Sequence, residues 1–263
     1  MGLDFVQSEN IHGTANATAE FLATQENPKI KKVFCIGLKG FYQELNLSGI
    51  QVVGIEKETN NLEELADMEL DPEVNAVVVG MDNTFSYPKL ATAGLYIRYN
   101  KNCKFIATNL DSGSIQGKIE REVDQDQIFE GEGSLEDFGE ESVQDVNQGT
   151  YRKKRKLRGR FIAGTGCLVS AVEVAAGRKP DFVIGKPNEW WINHIIELNN
   201  LDRKRTIMIG DRLDTDILFA KQGKIQSILV LTGVTRNESE IIEPYLPNYV
   251  ADGISILAQA FEE

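Results

Sequence analysis

The chain has 263 residues, 41% of them hydrophobic, which is enough for one large or two modest globular domains. Its formal net charge of -12 argues against nucleic acid as a partner, because that field repels phosphate unless a metal or local cations offset it. Three separated cysteines (Cys35, Cys103, Cys167) and only two histidines (His12, His194) exclude a histidine-rich metal centre, argue against a zinc site and fit a reducing compartment.

No apolar run reaches ~18 residues, so no membrane crossing is expected. The opening MGLDFVQSEN has neither the basic nor the apolar region of a signal peptide, and Val6 stands where a myristoylation signal carries Ser or Thr. A cytoplasmic location is therefore expected. Helical spacing begins at residues 14–24, with Thr14 as N-cap type and Pro28 beyond the end. Residues 32–37 read as a strand, 41–45 as a short helix, 51–54 as a strand and 62–68 as a weak helix. NAVVVG at 75–80 is a strong buried strand, 87–99 a helix with Pro88 in its first turn, and KFIAT at 104–108 another strand. Strands alternating with helices at this spacing predict α/β layering.

Residues 111–157 break the pattern. Acids crowd 120–145, and 152–160 (RKKRKLRGR) is strongly basic. A disordered charged insertion at about 112–158 is expected. Its basic run reads either as a solvated linker whose two halves attract each other or as a nuclear localisation or nucleic-acid patch. Order resumes at Phe161. AGTG at 163–166 is a tight turn into a helix at 167–176; such a turn can cradle phosphate, but the GxGxxG spacing is absent. Residues 182–185 read as a strand, and Lys186-Pro187 opens a helix to residue 200.

The C-terminal part is organised around TIMIGDRLDTDILFAKQGKIQSILVL at 206–231. A short apolar strand at 206–209 ends at Gly210, and Asp211 lies just past it, where ligands of open parallel sheets bind. Asp214 and Thr215 suit a helix start, Ile217, Leu218 and Ala220 give it an apolar face, and Gly223 ends it. A second strand follows at 227–231. Asp211 and Asp216 can serve one hard cation such as magnesium, or can simply cap the helix. Lys186, at a strand end beside this acidic loop, is either a poised cation or a surface lysine. A strand at 249–251 and a final helix at 254–261 close the chain.

The spelling GDRLDTDI, preceded by IGKP and followed by LTGVT, resembles the haloacid-dehalogenase-like (HAD) hydrolases, in the branch that holds 4-nitrophenylphosphatase, phosphoglycolate phosphatase and pyridoxal phosphatase. TANATAEFLAT, VVVGMDNTFSYPKL, KFIATNLD and GRFIAGTGCLVSAVE are similar to the family's linker helix and cap segments, in order. The resemblance implies an α/β fold: a Rossmann-like three-layer core with a large inserted α/β cap. It implies a linker helix at 1–30, a cap at 31–180 and the C-terminal half of the core at 181–263. It further implies hydrolysis of a small phosphorylated metabolite, such as 2-phosphoglycolate or 4-nitrophenyl phosphate, through an aspartyl-phosphate. Lys186 would neutralise the phosphate, Arg212 would contact phosphate or substrate, and Asp211 with Asp216 would bind Mg2+. A homodimer through the cap is implied in the same way.

The family's first-strand DxDGT/V signature and its TNN-type phosphate segment are not in this sequence. Asp4, Asp82, Asp124, Asp126 and Asp214 do not replace them, so no nucleophile is found. The expectation is a chain lacking the first strands of the core. The competing reading is a catalytically inactive relative that binds or dimerises.

Overall fold

The computed structural model describes residues 7, 10–24, 29–54, 59, 61–116, 139–144, 151–156 and 160–255. Its larger sheet is parallel, five-stranded, in the order β2-β1-β3-β4-β9. β1 (Lys32–Ile36), β2 (Gln51–Val53), β3 (Ala76–Val79) and β4 (Lys104–Ala107) are the short apolar runs expected of strands covered on both faces. Alternation sends Val33, Cys35, Ala76 and Val78 to one face, against α1 (Thr14–Thr24) and α2 (Lys39–Leu47). Phe34, Ile36, Val77 and Val79 face the other way, against α4 (Tyr87–Tyr99) and α5 (Thr165–Ala176). A short α3 (Leu62–Ala66) precedes β3. Cys35 and Cys103 are buried, and burial pushes both thiols up, Cys103 to about 12. Cys167, in the first turn of α5, is exposed.

Within residues 182–185, read above as a strand, β9 (Phe182–Val183) pairs with β4, Ile106 beside Phe182 and Ala107 beside Val183. Asp181 causes this: its carboxylate accepts from the Phe105 amide (2.7 Å) and from Arg178 (2.9 Å), and its own amide donates to the Phe105 carbonyl.

A second parallel sheet holds β10 (Ile207–Gly210), β11 (Gln226–Val230) and β12 (Tyr249–Ala251) in that order. The two sheets share a core through α6 (Glu189–Leu198). Asn188 caps this helix, its side-chain oxygen accepting from the Trp190 amide at 2.8 Å while its nitrogen donates to the Val183 carbonyl. Trp191 packs on Phe219 of α7 (Leu218–Gly223), ring centroids 5.4 Å apart. Ile192 fills the space a side chain at Gly223 would need.

Two short strand pairs involve residues of the stretch expected as an insertion. β5 (Gly113–Gln116) pairs antiparallel with β8 (Arg160–Ala163), and β6 (Gly139–Gln144) with β7 (Tyr151–Lys156). In the second pair the register sets Glu140 opposite Arg155 and Glu141 opposite Lys154. The rest of the insertion, and the final helix beyond residue 255, lie outside the described residues, as does Gly2. Among the described residues no helix is long and apolar enough to cross a membrane.

Candidate functional site

The site is built on the end of β10. Gly210 lies so close to the Asp216 side chain that any Cβ would overlap it. The chain then widens into a π turn, Leu213–Ile217, in which the amides of Asp216 and Ile217 both donate to the Arg212 carbonyl at 3.1 Å. That wide turn folds Asp216 back onto the strand end, where it is 3% exposed. One carboxylate oxygen accepts from the amides of Asp211 and Arg212, each at 3.2 Å. The other takes the Lys186 ammonium at 2.6 Å. Lys186 stands past the end of β9, its position fixed by the Gly185 amide donating to the Thr108 carbonyl at 2.7 Å. The Lys186-Pro187 peptide is cis.

Asp211 is held from the opposite side. The Val234 amide donates to its carboxylate at 2.7 Å and the Thr235 amide to its carbonyl at 3.0 Å. Gly233 passes so near that a Cβ there would overlap the carboxylate. Arg212 turns its guanidinium onto Asp214, with bonds of 3.2 and 3.0 Å. The hydrogen bonds Arg212 donates to Asp214 raise its pKa, and the charges of Asp214, Asp111 and Asp211 add to the effect.

Lys186, Asp211, Arg212 and Asp216 line one cavity of about 550 Å³, and Thr14, Asn109, Asp111 and Thr165 line it from the side of the first sheet, with Ser114 of β5. The carboxyl ends of β4, β9 and β10 therefore converge on a single space, as in other open α/β sheets. All four residues singled out from the sequence meet there. The AGTG turn, noted above as able to cradle phosphate, reaches the cavity through Gly164 and Thr165, whereas Asn109, Asp111 and Val234 carry no such mark in the sequence reading. The available signal was the position of Asn109 and Asp111, just past the end of a buried strand.

Asp82, the acid whose place after a buried strand most resembles a nucleophile's, does not line this cavity. It is 3% exposed and is bound by the Thr84 amide (2.8 Å), the Thr84 hydroxyl (2.7 Å) and Lys89 (2.7 Å). Among the described residues no group of three or more acid, histidine or cysteine side chains is arranged to hold a metal. Asp211 and Asp216 supply hard oxygen donors, and both Asp216 oxygens are already engaged. This donor set suits a cation completed by water and phosphate oxygens, the habit of magnesium, rather than one enclosed by protein alone.

Residues 183–257 match a family profile described as HAD-hydrolase-like. Over 238 residues the chain is 34% identical to phosphoglycolate phosphatase 1A, chloroplastic, of Arabidopsis thaliana, covering 89% of this chain and 54% of that protein. The chain thus spans about half the length of this relative. It is 32% identical over 268 residues to glycerol-3-phosphate phosphatase of Homo sapiens, covering 97% of this chain and 70% of that one. Among solved structures it is similar to a p-nitrophenyl phosphatase from Archaeoglobus fulgidus, with a TM-score of 0.65 and 25% identity over 97% of this chain and 76% of that one.

Proposed function

The chain belongs to the haloacid-dehalogenase-like hydrolase family, and we propose that it serves magnesium-dependent hydrolysis of small phosphate monoesters. The observation that carries this reading is the Lys186–Asp216 pair at 2.6 Å, set beside Asp211 in one cavity. A cation and two carboxylates from segments far apart in sequence converge at strand ends, where phosphoryl transfer needs charge neutralisation and positioning.

In this reading Asp211, with Asp216 behind it, would hold Mg2+, which supplies charge neutralisation on a phosphoryl oxygen. Lys186 offsets a second phosphate oxygen, and Asp216 fixes where its ammonium points. Arg212, held by Asp214, adds positive potential at the rim. The aspartyl-phosphate implied by the family resemblance requires a nucleophile, and none is assigned here. The five-stranded body would be the cap and the β10–β12 body the C-terminal half of the core, with dimerisation through the cap; sedimentation of the purified chain tests the dimer.

The test is hydrolysis of 4-nitrophenyl phosphate by the 263-residue chain, with and without magnesium, beside Asp211→Asn. Magnesium-dependent turnover lost in the variant supports the proposal. Turnover indifferent to both would overturn the assignment of Asp211. A folded chain with neither turnover nor a thermal shift on adding magnesium or phosphate would overturn the reading itself. A shift without turnover would support binding alone, the inactive alternative.

A further inference from the structure

We propose that a second cavity, between β2, α3 and α4, binds a small organic ammonium that also carries a hydroxyl. This cavity, of about 380 Å³, shares no lining residue with the one that holds Lys186 and Asp211. Its volume lies in the range of small-molecule sites. Two independent observations carry the assignment. The first is unmatched charge. Glu64, on α3, and Glu69, just beyond it, line the cavity, and among the described residues neither carboxylate meets a cation or a hydrogen-bond donor. Asp71, which also lines it, is satisfied: Lys32 approaches one oxygen at 2.6 Å and the Glu73 amide donates to the other at 2.9 Å. Glu64 and Glu69 are exposed, so they leave a negative pole at the mouth. Among the described residues no three acid, histidine or cysteine side chains are arranged to hold a metal ion. A hard metal ion needs more oxygen ligands than this pole offers, whereas an ammonium needs only a carboxylate or two.

The second observation is an unused hydroxyl. Thr92, on α4, lines the same cavity and is 3% exposed, and its hydroxyl oxygen is buried with no hydrogen-bond partner among the described residues. A threonine inside a helix commonly turns its hydroxyl back to a carbonyl of the preceding turn. Thr18 does so in α1, donating to the Thr14 carbonyl at 2.6 Å. Thr92 forgoes that bond, and a buried hydroxyl left unpaired is costly. A ligand hydroxyl relieves the cost, because threonine can both donate and accept. Val53, Leu65 and Met68 add apolar surface to the lining. The occupant that matches all three features has an ammonium, an apolar body and a hydroxyl.

Ligand-observed NMR titration of the purified chain tests this with tyramine, which has all three parts, phenethylamine, which lacks the hydroxyl, and 4-ethylphenol, which lacks the ammonium. Tyramine should bind about fivefold more tightly than either, the scale of one hydrogen bond or one partly exposed charge pair. Thr92→Val, nearly equal in size, removes only the unpartnered hydroxyl. It should weaken tyramine about fivefold, leave phenethylamine unchanged and leave the urea midpoint no lower. Glu64→Gln combined with Glu69→Gln should weaken both amines about fivefold and leave 4-ethylphenol unchanged. Saturating phosphate and magnesium should not displace tyramine, because the two cavities are separate. A folded chain that binds no tyramine, tyramine binding left unchanged by either variant, or tyramine displaced by phosphate would each overturn the inference. The phosphatase reading stands or falls independently of these outcomes.

Discussion

Asp82 is the most heavily bonded carboxylate on the first sheet. Burial alone would raise its pKa; the bonds from Lys89 and Thr84 outweigh that and hold it below the ordinary 3.8. Its stabilising contribution is therefore complete well above pH 3.8 and is lost as pH falls through the lower, folded-state value. Lys89→Met leaves that buried charge without its partner and should cost about 3 kcal/mol, read from urea midpoints at pH 7. The loss should shrink when the same pair is compared at acid pH, where Asp82 is protonated. At the cavity, Lys186→Ala should lower any turnover by at least ~100-fold, the scale for removing one preorganised electrostatic group. Gly233→Ala, far from Lys186 in sequence, should reduce magnesium affinity by displacing Asp211, measured as a smaller thermal shift at fixed magnesium. Lys186 and Asp211 were legible as candidates because each lies just beyond a strand end, and Asp216 because it follows Asp211 by five residues in the same distinctive spelling. Asn109 and Asp111 were not: no distinctive spelling marks them until the fold brings them to a space lined by residues much later in the chain.

At the scale of elements, the join between β9 and α6 depends on one side chain. Asn188 both caps α6 and ties it to the Val183 carbonyl. Asn188→Ala should lower stability by about 1 kcal/mol with an unchanged denaturant slope. β1, β3 and β4 could be read from sequence because a run of buried apolar residues is a strong signal. β9, two residues long, offers no period, and its placement is decided by Asp181 reaching the Phe105 amide, a long-range bond invisible to a local window. The β6–β7 pair is not legible for a different reason: composition registers two blocks of charge but not the strand register between them.

At the scale of the molecule, one continuous core connects the two sheets. Residues of α1, β1, α6 and α7 belong to the same buried cluster, so neither sheet keeps its apolar surface covered if the other unfolds. Unfolding followed by far-ultraviolet dichroism and by tryptophan fluorescence should give coincident midpoints; two separated transitions would contradict the shared core. Phe219→Ala, on the second sheet's side, should destabilise the whole by about 3–5 kcal/mol and shift both probes equally. The α/β layering behind this arrangement was legible from the alternation of elements, while the fusion through α6 was not, because Trp191 and Ile192 have no sequence-level mark of what they pack on.

The three thiols divide sharply. Cys35 and Cys103 lie inside the sheet body, shielded and with their ionisation suppressed, whereas Cys167 is open to solvent in the same helical turn as Thr165. A maleimide dye added to the native chain should therefore settle at a single place, two residues from Thr165, which lines the cavity. The natural sequence already provides an address for an optical sensor, so occupancy of the cavity can be followed as a colour or brightness change without building any handle into the protein.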